Sequence, residues 1–260
     1  MQARGRAPGG LADAVIGGSA VTQSMIQSYS EMGVEVCHAW GMTELSPLGT
    51  QGNLPAGMKS SSQREREAFR LKQGRRLFGV EMKLVNDHGD LVPHDGKTPG
   101  ELYVRANSAA AQYFRNEEAT KVAFDTDGWF GTGDVATLDA RGCLAVTDRA
   151  KDLIKSGGEW ISSLDIENIA MSHPDVEQCA VIAIPHPKWD ERPLLIVVSS
   201  GKKSPDIGGI LKLISEHVSS WQVPDDVVIA DSLPLAPTGK ISKKDLREIY
   251  ADYVLPEKVT

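Results

Sequence analysis

Cysteine is scarce. Only Cys37, Cys143 and Cys179 occur in 260 residues, far apart and never as Cys-x-x-Cys. That argues against a disulfide framework and a paired-thiolate zinc site, and it makes a reducing, cytoplasmic setting the simplest expectation. A basic excess is also missing: Lys+Arg is 28 against 35 Asp+Glu, a net charge of −7. Such a chain is a poor general nucleic-acid binder. No window approaches the ~18 apolar residues of a membrane span. The longest apolar runs, Cys179–Ile184 and Leu194–Val198, have strand length. The first ten residues, MQARGRAPGG, carry two arginines but lead into no apolar stretch, so residues 1–10 are expected to be a disordered start rather than a signal peptide. What is present, 41% hydrophobic and 24% charged residues, suffices for a packed core in one large or two small domains.

The spacing of Met25, Ile26, Tyr29 and Met32 predicts a helix over 22–32, stopped by Gly33. Val34–Cys37 reads as a short strand running into the turn Trp40-Gly41-Met42-Thr43-Glu44. Residues 51–73 are polar and of mixed charge, and read as a surface excursion. Val80, Met82 and Leu84 alternate with charge as in a half-buried strand; Asn86–Asp90 and Asp127-Gly128 are turn chemistry, and Leu102–Arg105 is a further strand. Beyond about residue 150 the pattern becomes β/α in miniature. Ser162-x-x-Asp165 opens a helix with Ile166, Ile169 and Ala170 inward, closed by His173-Pro174. Strands at Ala180–Ile184 and Leu194–Val198 follow, then a helix over Ile207–Val218, a strand at Val227–Ile229 and a last helix behind Ser242-x-x-Asp245. No internal repeat and no heptad pattern is present.

Four glycine-bearing stretches could carry chemistry. Gly17-Gly18-Ser19-Ala20 could let a flat ligand approach the backbone, or simply form a tight turn. In Trp40–Glu44 a hydroxyl beside a carboxylate could meet a phosphate and its Mg²⁺, or lie in an ordinary strand-to-loop turn. Gly131-Thr132-Gly133-Asp134, with Asp148-Arg149, could hold a ribose diol; equally it could be a hairpin turn and a surface ion pair. Lys240, in Pro237-Thr238-Gly239-Lys240, could be swung onto a developing negative charge or be one more solvated lysine.

In this order the four stretches resemble the adenylate-forming superfamily: acyl-CoA synthetases, luciferases and the adenylation domains of peptide synthetases. The superfamily's Tyr/Trp-Gly-Met-Thr-Glu motif matches residues 40–44, and its Thr-Gly-Asp matches 132–134. Asp-Arg-x-Lys-Asp-x-Ile-Lys-x-x-Gly matches 148–158, and Pro-Thr-Gly-Lys matches 237–240. His38–Pro47, Lys155–Ser162 and Pro185–Pro193 are similar to medium- and long-chain fatty acyl-CoA synthetases, and methylthiopropionate-CoA ligases are similar at 38–47 too.

The resemblance implies an α/β fold, α+β in parts: residues 11–150 the end of a large AMP-binding domain, residues 151–260 a complete, small, mobile C-terminal domain hinged at Lys151. It implies an ATP-dependent fatty acid–CoA ligase. In the expected roles, Thr43 contacts the α-phosphate, Glu44 ligates Mg²⁺, and Asp134 and Arg149 hold the ribose. Gly18, Ser19, Trp40, Gly41 and Met42 border the nucleotide. Lys240 bridges carboxylate and phosphate, and the segment Lys155, Gly157, Gly158, Glu159 and Trp160 takes its place beside coenzyme A after the hinge turns. Trp40 could instead be a core aromatic, and His38 a packed histidine. The superfamily's Ser/Thr/Gly-rich phosphate loop ending in Lys is absent from these residues, and Gly131 stands where related enzymes usually have Arg. The reading is therefore of a fragment, with apolar surface in residues 11–150 expected to be exposed. Its alternatives are a catalytically dead relative that binds nucleotide or a partner, and the same chemistry on another carboxylate such as methylthiopropionate.

Overall fold

The computed structural model describes residues 9–18, 21–201, 204–237 and 239–256. The chain divides into two units, Met1–Thr147 and Asp148–Thr260.

The first unit holds β1 (Asp13–Gly17), α1 (Gln23–Glu31), β2 (Glu35–Gly41), β3 (Leu48–Gln51), α2 (Gln63–Arg70), β4 (Gly74–Arg76), β5 (Val80–Val85), β6 (Gly100–Ala106), α3 (Glu117–Ala123), β7 (Phe130–Leu138) and β8 (Cys143–Arg149), whose last residues enter the second unit. The strands form one sheet in the order β1-β2-β3-β4-β8-β7-β6-β5. Within it β1 and β2 pair in parallel. α1 begins where the Thr22 side chain accepts the Met25 N–H, and it buries Ile26 against Val21 and Val36. The main core lies under the other strands, with Trp40, Leu45, Leu84, Leu102, Val104, Phe130 and Leu144 among its members. β2 and β7 have three strands between them, which in a flat sheet would set them ~19 Å apart. A side-chain hydrogen bond nevertheless joins Trp40 of β2 to Asp134 of β7, so the sheet curls strongly about this core.

Residues 51–73 are not merely an excursion. They contain α2, started by a reciprocal capping box between Ser62 and Glu65. Its only buried side chains are Phe69 and Arg70, so it has almost no apolar stripe to announce it. α3, capped by Asn116, buries none. Gly131–Asp134 is not a hairpin turn but the middle of β7.

The second unit holds β9 (Ile154–Ser156), β10 (Glu159–Ile161), α4 (Ser163–Ala170), β11 (Val176–His186), β12 (Asp190–Ser199), α5 (Ile207–Ser215), β13 (Asp226–Ile229) and α6 (Lys243–Ile249). β11 and β12 form a long antiparallel hairpin, and β13 joins β12 in parallel. β9 pairs β12 at Asp190↔Ser156 and carries β10 on its other edge. Cys179, Val181, Leu195 and Val197 pack with Ile166, Ile210 and Ile214 of α4 and α5. The alternate residues Ala180, Ile182, Leu194 and Ile196 pack with Leu233 and Leu246. Both faces are covered, which is why these strands read as continuous apolar runs. α5 ends at Ser215, short of the expected Val218: the Ser215 hydroxyl donates to the Lys212 carbonyl, and His217 Nδ1 lies 2.9 Å from the Leu213 carbonyl. Side chains there take up backbone acceptors at the helix end. Among the described residues no helix is long and apolar enough to cross a membrane.

Candidate functional site

In the first unit the expected residues gather at the C-terminal ends of β1 and β2, the usual ligand-facing end of parallel strands. Gly17 pairs with Ala39, and the exposed Gly18 follows it. Ser19 lies outside the described residues. β2 ends at Gly41, where a Cβ would collide with the Pro47 carbonyl, so the chain can double back there only without a side chain. Thr43–Leu45 then makes a single 3-10 turn. Leu45, fully buried, anchors that turn, leaving Thr43 exposed and Glu44 half-buried.

The loop between β6 and α3 braces Glu44. Ala110 N–H donates to its carbonyl at 2.7 Å, and the Tyr113 hydroxyl donates to its Oε1 at 2.9 Å. Burial, and then this bond, push the Tyr113 phenol above its usual range. A lone carboxylate is no metal cage. Mg²⁺ favours one or two carboxylates with phosphate oxygens making up the set, and Glu44 fits that donor chemistry.

On β7, Phe130, Thr132, Asp134, Ala136 and Leu138 alternate inward. Asp134 is 3% exposed, and its Oδ2 accepts from Trp40 Nε1 at 2.7 Å. Its N–H donates to Thr132 Oγ1, which itself donates to the Leu102 carbonyl. Trp40 is 8% exposed and belongs to the core, with its indole N–H directed at Asp134. His38 is likewise packed, its Nδ1 2.9 Å from the Leu71 carbonyl. Gly131 and Gly133 line a cleft of about 610 Å³ with Tyr103 and Tyr113.

In the second unit Asp148 is buried, and its Oδ2 accepts from Ser163 N–H and Oγ, both at 2.6 Å, and from Leu164 N–H at 3.2 Å. It thus caps α4, a favourable place for a carboxyl group. Lys243 continues the network to Ser163 Oγ and Glu167. Burial, and then Asp148, push the Asp165 carboxyl up; burial does the same to Glu167 against the pull of Lys243. Arg149 begins an exposed turn in which its carbonyl accepts from Asp152 and Leu153, and Lys151 stands exposed in that turn.

Lys155 to Trp160 is not a loop but the hairpin of β9 and β10. Gly157 and Gly158, at φ +59° and +87°, form its two-residue turn, the pairing a type I′ turn requires. Lys155, Glu159 and Trp160 stand exposed on it. The hairpin is held by the β11–β12 turn, through Gly157 N–H to the Trp189 carbonyl and Lys155 N–H to Glu191. His186 Nδ1 accepts from Lys188 and Trp189 and so shapes that turn. Sequence reasoning passed over Arg192. It is 6% exposed and donates to Ser156 Oγ, to both oxygens of Asp225 and to the carbonyls of Trp221 and Val223. Lys240 is exposed in a tight turn closed by Ala236 N–H to its carbonyl; its neighbour Thr238 lies outside the described residues.

Comparison with known proteins matches two family models: the AMP-binding enzyme over residues 1–114 and the AMP-binding enzyme C-terminal domain over residues 165–240. A 3-methylmercaptopropionyl-CoA ligase of Ruegeria lacuscaerulensis is 49% identical over 92% of this chain and 44% of its own length. A medium-chain-fatty-acid–CoA ligase of Ectopseudomonas oleovorans is 46% identical over 94% of this chain and 44% of its own. Among solved structures, the Bacillus subtilis o-succinylbenzoate CoA synthetase bound to its acyl-adenylate intermediate aligns with a TM-score of 0.81 at 27% identity, covering 95% of this chain and 48% of that one. The chain thus spans about half the length of the relatives it matches.

Proposed function

The chain belongs to the AMP-binding enzyme family, and on that premise we propose that it carries the adenylate-handling part of an ATP-dependent acid–CoA ligase. The reaction has two steps. A carboxylate attacks the α-phosphate of ATP, giving acyl-adenylate and releasing pyrophosphate. The thiol of coenzyme A then attacks the acyl carbon and displaces AMP. Negative charge builds up on the α-phosphate in the first step, so fixed donors and cations there contribute most.

The observation that carries this reading is the buried Asp134, held by Trp40 beside the Thr43–Glu44 turn. Thr43 donates its hydroxyl to the α-phosphate. Glu44, oriented by Tyr113, would be the residue that holds Mg²⁺, which when bound would supply positive charge next to the phosphates. Asp134 and Arg149 hold the ribose hydroxyls. Gly18, Ser19, Gly41 and Met42 border the nucleotide, and Trp40 serves it from behind. Lys240 spans carboxylate and phosphate during adenylation. Lys151, in the exposed turn just past the division between the two units, is the hinge. The hairpin 155–160 then replaces Lys240 and lines the path of the thiol.

For the acid, a medium- or long-chain fatty acid is the main reading. The 49% identity to a 3-methylmercaptopropionyl-CoA ligase favours the short sulfur-containing acid as a second one. The test is ATP-dependent thioester formation by the full-length gene product, offered octanoate, palmitate and 3-methylmercaptopropionate in parallel. Turnover with one of the fatty acids above the sulfur acid supports the main reading, and the reverse supports the second. No ATP-dependent turnover with any acid would leave a nucleotide-binding relative without catalysis. Lys240→Ala is expected to slow adenylation about 10²–10³-fold, the typical loss of one transition-state donor, while thioester formation from supplied acyl-AMP is kept. Equal loss in both steps would contradict the role of Lys240.

A further inference from the structure

We propose that Trp40 is a positioning residue for ribose recognition: its indole N–H fixes Asp134 in the orientation that accepts the two sugar hydroxyls. The inference rests on the adenylate-site reading above and deepens it.

One interaction stands out in the geometry. Trp40 and Asp134 lie 94 positions apart in sequence and on strands separated by three others, yet Nε1 and Oδ2 are 2.7 Å apart and buried. The indole has little freedom. Its ring packs over Gly49, where a Cβ would collide with it, and shares one core cluster with the fully buried Leu45 that anchors the Thr43–Glu44 turn. The ring is therefore registered by the same elements that present Thr43 and Glu44. Its single N–H bonds one of the two Asp134 carboxyl oxygens and so favours one rotation of that carboxyl. Asp134 is further tied through its own N–H to Thr132. A ligand with a vicinal diol then meets an acceptor already aimed, without the entropy cost of ordering it on binding. Phenylalanine at position 40 would keep the packing and lose the aim. That makes Trp40 a determinant of selectivity for ribose over sugars lacking the diol.

The experiment is titration of the 260-residue chain with AMP and with 2′,3′-dideoxy-AMP, in wild type, Trp40→Phe and Asp134→Ala. Wild type is expected to prefer AMP, and Asp134→Ala to lose that preference. Trp40→Phe is expected to bind AMP about tenfold more weakly, the scale of one hydrogen bond to a carboxylate, with dideoxy-AMP changed less than about twofold. Equal weakening for both nucleotides would show a packing role only. Full preference retained in Trp40→Phe would overturn the inference by itself. A wild-type chain that does not discriminate at all overturns the ribose role of Asp134, and the inference with it.

A second measurement does not depend on the Trp40→Phe variant folding. In the wild-type nuclear magnetic resonance spectrum, the backbone-assigned Trp40 indole N–H should lie downfield and move upfield in Asp134→Ala, while the other four tryptophan indoles hold still. An unmoved Trp40 resonance would contradict the hydrogen bond on which the inference stands.

Discussion

Arg192 has five N–H donors, and its guanidinium makes five hydrogen bonds, two of them at 2.6 and 3.1 Å to Asp225, whose side chain is 9% exposed. Removing one partner of such a pair leaves the other charge buried and unmatched. Asp225→Ala is therefore expected to destabilise the second unit by about 3–5 kcal/mol in urea melts; a loss below about 1 kcal/mol would place the pair among those of surface strength. Arg192→Lys should recover only part of the stability, because an ammonium cannot reproduce the fork. None of this was legible in Pro185–Pro193, where Arg192 looks no different from Lys188 or Glu191. Burial of a charge depends on what folds over it. Asp95 is the opposite case. Its carboxyl accepts from the Thr98 N–H, the Lys97 N–H and the Thr98 hydroxyl, and these bonds hold it down to about 2. Because the folded value is depressed below 3.8, the turn gains from the ionised carboxylate above that pH and loses the gain as pH falls through about 2. A side-chain titration by nuclear magnetic resonance should find a midpoint near 2; one near 3.8 would mean the turn does not persist in solution.

Among the elements, those driven by burial were readable and those driven by local hydrogen bonds were not. β11 and β12 stood out as apolar runs, and α1, α4 and α6 carried both a cap and an inward face. α2 carries a complete capping box but only Phe69 as an apolar anchor, and α3 has a cap and no anchor. The hairpin of β9 and β10 is hidden in the sequence because its strands are three residues each, and tandem Gly157-Gly158 fits ligand chemistry as well as turn chemistry. The motif residues of the site were legible as types in order. What the sequence could not convey was that Asp134 faces the core and is reached by Trp40, since that contact depends on a curled sheet. The dependence of α2 on its cap can be checked directly. Ser62→Ala is expected to weaken the helix by about 1 kcal/mol, seen as faster amide exchange over residues 63–70 with the rest of the unit unchanged. Unchanged exchange there would show that Phe69 and the Arg70–Glu35 ion pair alone hold the helix.

At the scale of the whole chain, the second unit has its own sheet with covered faces, so residues 148–260 are expected to fold alone. The start point matters. Asp148 supplies three hydrogen bonds to the first turn of α4. A piece beginning at 152 should melt cooperatively but at a lower temperature than one beginning at 148. Equal melting temperatures would mean that the cap adds nothing, and absence of a cooperative transition in both would contradict an independent unit. The first unit exposes Phe78, Leu91, Phe114 and Val122, and carries the Trp40–Asp134 and Tyr113–Glu44 contacts on which the proposed adenylate site rests. The most direct test of that site is equilibrium binding of a non-hydrolysable acyl-adenylate, an acyl-sulfamoyl adenosine, to the 260-residue chain and to its Asp134→Ala variant. Saturable binding by the wild-type chain, weakened at least about tenfold by the loss of Asp134, is the expected result. Indistinguishable binding by the two proteins, or none by the wild type, would contradict it.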